Sequence, residues 1–106
     1  MNKNDYTAKY VVLYNRQTKQ LKIGTTAKFR FHIDIFGEKP EEPWKVWSAG
    51  YFTVLNGDVS TLHTHGESQG FRIGPKPGDE IMLRAFESEG EMEFNLPDIK
   101  AQLQAA

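Results

Sequence analysis

Cysteine is absent from this chain of 106 residues. Its absence excludes a disulfide framework, thiolate metal ligands and thiol nucleophiles, and it is typical of proteins in a reducing compartment. No stretch approaches the roughly 18 apolar residues that a membrane span requires, and residues 1–9 contain no apolar run resembling a signal peptide. We therefore expect a cytoplasmic protein that does not cross a membrane.

An excess of charge of either sign is also missing, because 13 basic residues stand against 14 acidic ones and the net charge is -1. Without a positive field the chain is not drawn to nucleic acid or anionic lipid, so neither is the expected partner. The hydrophobic content of 39% and charged content of 25% are those of a globular protein. Residues 1–106 are therefore expected to form a single β-rich domain whose first six residues are frayed.

The hydrophobic pattern predicts a mainly β chain. Residues 8–15 and 20–25 are rich in β-branched or alternating apolar side chains and predict a first hairpin. Residues 28–36 alternate apolar and polar side chains with a period of two, which predicts a strand with one buried face.

A second hairpin is predicted around Asn56-Gly57, the dipeptide that most strongly favours a two-residue β-turn. A long β-prone run at residues 44–55 precedes it. Counting outward from the turn places His63 opposite Gly50 and His65 opposite a serine, so these small partners would leave a notch beside the two imidazole rings.

Residues 80–89 leave two interpretations open. Their apolar residues form a helical stripe that Gly90 would end, but the segment could also be a strand folding back onto residues 91–96. We favour the strand. Residues 97–104 predict a short C-terminal helix. The total is six to eight strands, which predicts an antiparallel sandwich, an open barrel or a curved sheet with a short C-terminal helix.

The most suggestive chemical feature is the pair His63 and His65. Side chains two residues apart on a strand point the same way, so both imidazoles can approach one divalent metal ion. A complete ligand set would need a third group, for which His32, Asp34 and Glu67 are candidates.

The glycine at position 57, followed after five residues by His63 and His65, resembles the opening of the first cupin motif. The resemblance implies a metal-dependent β-fold protein that uses these two histidines. In cupins a glutamate follows after three or four intervening residues, and a second motif supplies another histidine. Here Gln69 and Gly70 stand at those positions, and no histidine follows His65.

Aromatic residues provide the other candidate site. Tryptophan, tyrosine and phenylalanine are favoured binding anchors because they offer large rigid surfaces, and function concentrates in loops, here residues 37–44 and 66–78. The predicted binding residues are Trp44, Trp47, Tyr51 and Phe71. No catalytic residue is predicted. The leading hypothesis is a non-enzymatic module without a cofactor that recognises a protein or a small ligand and could form a homodimer through an unpaired strand edge.

Overall fold

The computed structural model describes residues 4–28, 30–37 and 40–105, and the side chain of Asp34 lies outside the described part. Its elements, in chain order, are β1 (Tyr6–Asn15), β2 (Gln20–Ala27), a 3-10 helix (His32–Ile35), β3 (Trp44–Leu55), β4 (Asp58–His65), α1 (Asp79–Glu89), β5 (Glu93–Asn95) and α2 (Leu96–Ala105).

The five described strands form one antiparallel sheet in the order β4-β3-β1-β2-β5, curled into a half-barrel. This confirms the mainly β, antiparallel prediction and the C-terminal helix. The predicted count of six to eight strands is wrong, because two segments interpreted as strands adopt helical structure.

The first of these segments is residues 28–36. β2 ends at Ala27, and the chain then crosses one face of the sheet as the 3-10 helix instead of pairing as a strand. Ile35 and Phe36 pack onto that face above Gly24, where an added Cβ would lie 2.5 Å from Ile35 Cγ2. A glycine in β2 therefore provides the space that the crossing segment occupies.

The second segment is residues 80–89, which form α1 rather than the strand that we favoured. Met82 and Leu83 are buried against the sheet. The helix ends at Gly90, whose positive φ of 74° permits a left-handed cap and whose N–H donates to the Phe86 carbonyl. The segment is helical because its apolar stripe packs against a sheet face rich in apolar side chains and removes both from water.

The register of the β3–β4 hairpin also differs from the prediction. Thr53 pairs with His63 and Tyr51 pairs with His65, so neither histidine lies opposite Gly50 or its small neighbours. A shift by an odd number of residues moves every following side chain to the other face of the sheet. The predicted notch is therefore wrong, and both imidazoles share a face with Tyr51.

The shift lies between the Leu55–Asp58 and Thr53–His63 pairs, in the part of β4 that contains Thr61. Leu55 pairs with Asp58 as predicted. Beyond that pair, the Thr61 hydroxyl accepts a hydrogen bond from the Leu55 N–H at 2.8 Å and donates to the Asp58 carbonyl at 2.7 Å. The Thr61 hydroxyl thus lies between the Leu55 N–H and the Asp58 carbonyl, where two backbone groups of a regular hairpin would bond to each other.

Hydrophobic side chains are buried on both faces of the sheet. The face covered by α1 and α2 carries the larger core, in which Tyr10, Phe52 and Leu62 are fully buried or nearly so. The opposite face carries a smaller core around Val11 and Ala49, covered by the 3-10 helix and by part of the loop at residues 66–78.

The outer edge of β4 is closed by two side chains of α1. Arg84 donates from Nη2 to the Leu62 carbonyl at 3.2 Å, and Glu80 accepts from the Thr64 N–H at 3.3 Å. The two side chains also form an ion pair, with Nη2 and Oε2 3.3 Å apart. Backbone groups that an edge strand leaves open are therefore occupied from within the chain. Within the described residues, no helix is long and apolar enough to cross a membrane.

Candidate ligand-binding site

A cleft of about 790 Å³ opens on the face of the sheet that carries the smaller core. Its volume lies within the range of small-molecule sites, roughly 300–1,000 Å³. The lining residues come from β1, β3, the 3-10 helix region and the loop at residues 66–78: Lys9, Phe31, His32, Ile33, Tyr51, Glu67, Ser68, Gln69, Gly70 and Phe71.

The sheet supplies Lys9 and Tyr51, which are directly paired across β1 and β3 and so share a face. The Lys9 ammonium lies 5.6 Å from the ring centroid of Tyr51 and 5.9 Å from that of Phe31, and it donates to the Arg30 carbonyl. Within the described residues the ion pairs join other side chains, and no carboxylate pairs with Lys9. Among the described side chains, this partly buried cation of the cleft therefore has no anionic partner.

His32 presents a hydrogen-bond acceptor to the same cleft. Its Nε2 lies 2.9 Å from the Gly50 carbonyl, and because a carbonyl only accepts, Nε2 carries the proton. Burial lowers the pKa of His32, the Gly50 hydrogen bond opposes this shift, and the nearby Lys9 cation adds to it. The neutral ring therefore keeps Nδ1 as an acceptor. Among the described residues Nδ1 has no hydrogen-bond partner, and because His32 lines the cleft, this nitrogen is available as an acceptor for a ligand.

The loop at residues 66–78 forms the opposite wall and is held by its own hydrogen bonds. Ser68 and Ile73 form an isolated antiparallel bridge, with N–H to carbonyl distances of 2.8 and 3.3 Å. The Ser68 hydroxyl, fully buried, accepts from the Phe71 N–H at 3.2 Å. Gly66 lies directly against the Tyr51 ring, where an added Cβ would be 2.8 Å from Tyr51 Cδ2. These contacts fix Phe71 at the cleft.

A row of aromatic rings extends from the cleft to the sheet edge. Tyr51 meets His32 edge to face, with ring centroids 5.6 Å apart, and stacks on His65 at 5.8 Å with an interplanar angle of 13°. His63 follows at 5.6 Å from His65. His65 Nε2 is bonded to the Thr53 hydroxyl at 2.8 Å. Both histidines on β4 are exposed and lie beside the cleft rather than in its lining.

The residues predicted to complete a metal site lie in the cleft wall, since His32 and Glu67 both line it. In the described part of the chain, however, no three histidine, cysteine, aspartate or glutamate side chains are grouped so that they could hold a metal ion. The metal set of His63, His65, His32 and Glu67 remains a prediction for which the structure provides one adjacent pair.

The predicted binding residues divide between two places. The cleft brings Tyr51 and Phe71 together, but not the two tryptophans. Trp47 lies on the opposite face, 5.1 Å from the Tyr14 ring, with the Lys76 ammonium 4.0 Å from its own ring centroid. Trp44 lines a separate cleft with residues 40–42, and none of the described residues of the loop at 37–44 lines the main cleft.

The separation of the tryptophans has a local cause. The pairing of β1 with β3 shifts between Val12 and Leu13, so that Val12 faces Ser48 and Leu13 faces Val46. Trp47 is thereby the extra residue of a bulge, and a bulge redirects its side chain relative to strict alternation. Periodicity alone does not reveal such an insertion.

Sequence reasoning missed Lys9 and Phe31. Lys9 lies within residues 8–15, which were predicted only as a strand, although a lysine between apolar residues of a central strand is a signal for a site. Phe31 was assigned to a buried strand face, whereas it is 74% exposed.

Comparisons of the chain with protein-family models, with curated proteins and with solved structures find no match. The chemistry of the cleft therefore guides the assignment. Its rings can stack on a ligand, the Lys9 ammonium can donate, and His32 Nδ1 and the Glu67 carboxylate can accept.

Proposed function

We propose that this protein is a non-enzymatic binding module that takes a small ligand into the cleft between the 3-10 helix and the loop at residues 66–78. The observation that carries the proposal is the composition of that cleft. Phe31, Tyr51 and Phe71 contribute aromatic surface, while Lys9 and His32 contribute polar groups with unused hydrogen-bonding capacity. Apolar walls with a few convergent polar groups are the usual form of small-molecule sites.

Preorganisation supports this proposal. The 3-10 helix is seated on Gly24, and the opposite wall is fixed by the Ser68–Ile73 bridge. A ligand that enters a preformed cleft does not have to order its walls, and this lowers the free-energy cost of binding.

Binding rather than catalysis is favoured by the hydroxyl groups of the lining. Nucleophilic catalysis by a hydroxyl requires a base within hydrogen-bond reach. The Ser68 hydroxyl is bonded to the backbone of Phe71, and Tyr51 meets His32 through its ring. Within the described lining residues, neither hydroxyl is hydrogen-bonded to an imidazole.

The proposal is tested with three naphthalene probes of one shape and different charge: 2-naphthamide, 2-naphthoate and 2-naphthylmethylammonium. Each is titrated into isotope-labelled protein and followed by amide chemical shifts. We expect at least one probe to bind saturably, with shifts centred on β1, the 3-10 helix and the loop at residues 66–78. Phe71→Ala should weaken that binding about tenfold, since it removes a stacking wall worth roughly 1.4 kcal/mol.

Phe94→Ala is the matched control, because Phe94 is also half-buried but packs against the core on the opposite face. It should leave probe binding unchanged. If no probe saturates, or if the shifts centre on another surface, the cleft is not a ligand site.

Metal binding is the second candidate function, and the adjacency of the exposed His63 and His65 rings is the observation that favours it. Elemental mass spectrometry of tag-free protein tests it against the variant His63→Ala/His65→Ala. Near-stoichiometric zinc, iron, nickel or manganese that the variant lacks would establish a metal site. Absence of metal, together with no thermal shift on adding it, would remove this candidate.

A further inference from the structure

We propose that the ligand of the cleft is a planar aromatic carboxylate, whose ring stacks between the aromatic walls while its carboxylate pairs with the Lys9 ammonium. This inference rests on the proposed function and specifies the chemical class of its ligand. Three features of the described residues carry it: an uncompensated cation, its remaining hydrogen-bond donors and the rings that surround it.

The first feature is the charge of the cleft. Lys9 is partly buried and forms no ion pair with a described carboxylate. Glu67, an acid of the cleft lining, is exposed at the rim. A partly desolvated cation without a counter-ion is unfavourable, and an anionic ligand relieves that cost.

The second feature is the hydrogen-bonding capacity of Lys9. A lysine ammonium has three N–H donors, and one of them is engaged by the Arg30 carbonyl. Within the described residues the other two donors have no hydrogen-bond acceptor, and two donors suit the two oxygens of a carboxylate. Charge-assisted hydrogen bonds of this kind are about twice as strong as neutral ones.

The third feature is the surface around the ammonium. The rings of Tyr51 and Phe31 lie 5.6 and 5.9 Å from Lys9 Nζ, and Phe71 lines the same cleft. A flat ring attached to the carboxylate would lie against these side chains, because offset stacking favours aromatic over saturated rings.

The charged naphthalene probes test the inference directly. We expect 2-naphthoate to bind about tenfold more tightly than 2-naphthamide, since it gains a charge-assisted bond, and the ammonium probe to bind most weakly. Lys9→Met should make 2-naphthoate and 2-naphthamide equal, whereas Lys9→Arg should keep the preference. Benzoate should bind several-fold more tightly than cyclohexanecarboxylate, which has the same charge without the aromatic ring.

Lys22→Met is the matched control. Lys22 pairs with Leu13, whose side chain lies in the smaller core on the same face, and its ammonium lies 5.9 Å from the Phe36 ring, but it lines a different cleft. This variant should retain the preference for 2-naphthoate. Should Lys9→Met fail to fold, the preference of the wild type must shrink with added salt, because screening weakens an ionic contact at a partly exposed site.

The outcomes separate the two proposals. Equal binding of 2-naphthoate and 2-naphthamide to the wild type, or loss of the preference in Lys22→Met, overturns the charged ligand class and leaves the cleft as a binding site. Equal binding of benzoate and cyclohexanecarboxylate overturns the aromatic part. If none of the probes binds, both proposals fail.

Discussion

Replacing Tyr10 by phenylalanine should lower the free energy of unfolding by about 2 kcal/mol at neutral pH. The Tyr10 hydroxyl donates to Asp79 Oδ2 at 2.5 Å, and the carboxylate is completely buried. Asp79 also accepts from the Ser48 hydroxyl at 2.8 Å and from the Lys76 N–H at 2.9 Å. This buried cluster joins the first residue of α1 to two central strands.

The magnitude follows from what the substitution removes. Hydrogen bonds to charged groups contribute about 1.5–3 kcal/mol, and the hydroxyl is one of three donors to the carboxylate. Phenylalanine retains the ring, which packs edge to face on Phe52 with centroids 6.3 Å apart. The loss is therefore that of one charge-assisted hydrogen bond without a large cavity.

The loss should depend on pH. Burial raises the pKa of Asp79, although the hydrogen bonds from Tyr10, Lys76 and Ser48 oppose that shift. Because the pKa of Asp79 is higher in the folded state, its protonation stabilises the fold. This contribution to the free energy of unfolding is fully present below the pKa of the unfolded state and is lost as pH rises through the pKa of the folded state. The Tyr10 hydroxyl donates a hydrogen bond that favours the ionised form of Asp79. Tyr10→Phe should therefore lower the free energy of unfolding more at high pH than in acid, where Asp79 is protonated.

Urea unfolding followed by tryptophan fluorescence measures the effect, and a change of 2 kcal/mol shifts the midpoint by about 1 M. Tyr14→Phe is the control, because Tyr14 is on the same strand and face but its hydroxyl has no partner within the described residues. A cost for Tyr10→Phe no greater than that of the control, or one independent of pH, would refute the hydrogen bond.

Three further predictions concern the cleft and the sheet edge. His32→Gln should keep the hydrogen bond to the Gly50 carbonyl, because the glutamine amide nitrogen reaches about as far as Nε2. Since burial lowers the pKa of His32, only the wild type should lose this group's stabilisation in urea titrations as pH falls below about 6.5. Gly24→Ala should cost about 1–3 kcal/mol in the same assay and weaken probe binding, because its Cβ would lie 2.5 Å from Ile35 Cγ2. Arg84→Ala should expose the Leu62 carbonyl at the edge of β4 and cause concentration-dependent association in analytical ultracentrifugation; a variant that stays monomeric at all concentrations would contradict that role.

The sequence predicted the parts of the fold that depend on local chemistry. The β1–β2 hairpin and the turn at Asn56-Gly57 were placed correctly, because short-range propensity and turn geometry determine both. The predictions for residues 28–36 and 80–89 were wrong. The structure of both segments depends on packing against apolar side chains of the sheet, which the local sequence does not show. A period of two does not distinguish a strand from a segment that crosses the sheet over a glycine.

For the candidate site, the sequence indicated several of the residues but not their grouping in one cleft. Tyr51, Phe71, His32 and Glu67 were chosen by residue type, and the structure brings all four to one cleft. Their grouping could not be foreseen, because it requires the register shift of β4 and the crossing of the 3-10 helix. Lys9 was missed because its importance comes from lining the cleft without an ion pair to a described carboxylate, which depends on the three-dimensional arrangement.

The hydroxyl of Thr61 lies where the register of the hairpin shifts, and this shift affects the surface of the whole strand. Its hydrogen bonds to Leu55 and Asp58 lie in the irregular part of the hairpin, beyond which both β4 imidazoles share a face with Tyr51 and Thr53. In the register without that shift, the same imidazoles would point at α1 and the larger core, where burial of two titratable rings is costly. The three extra residues that β4 carries between the Leu55–Asp58 and Thr53–His63 pairs therefore determine which side of the sheet carries the histidines. The chemical character of the surface beside the cleft can be changed by a substitution at a residue that is not part of that surface.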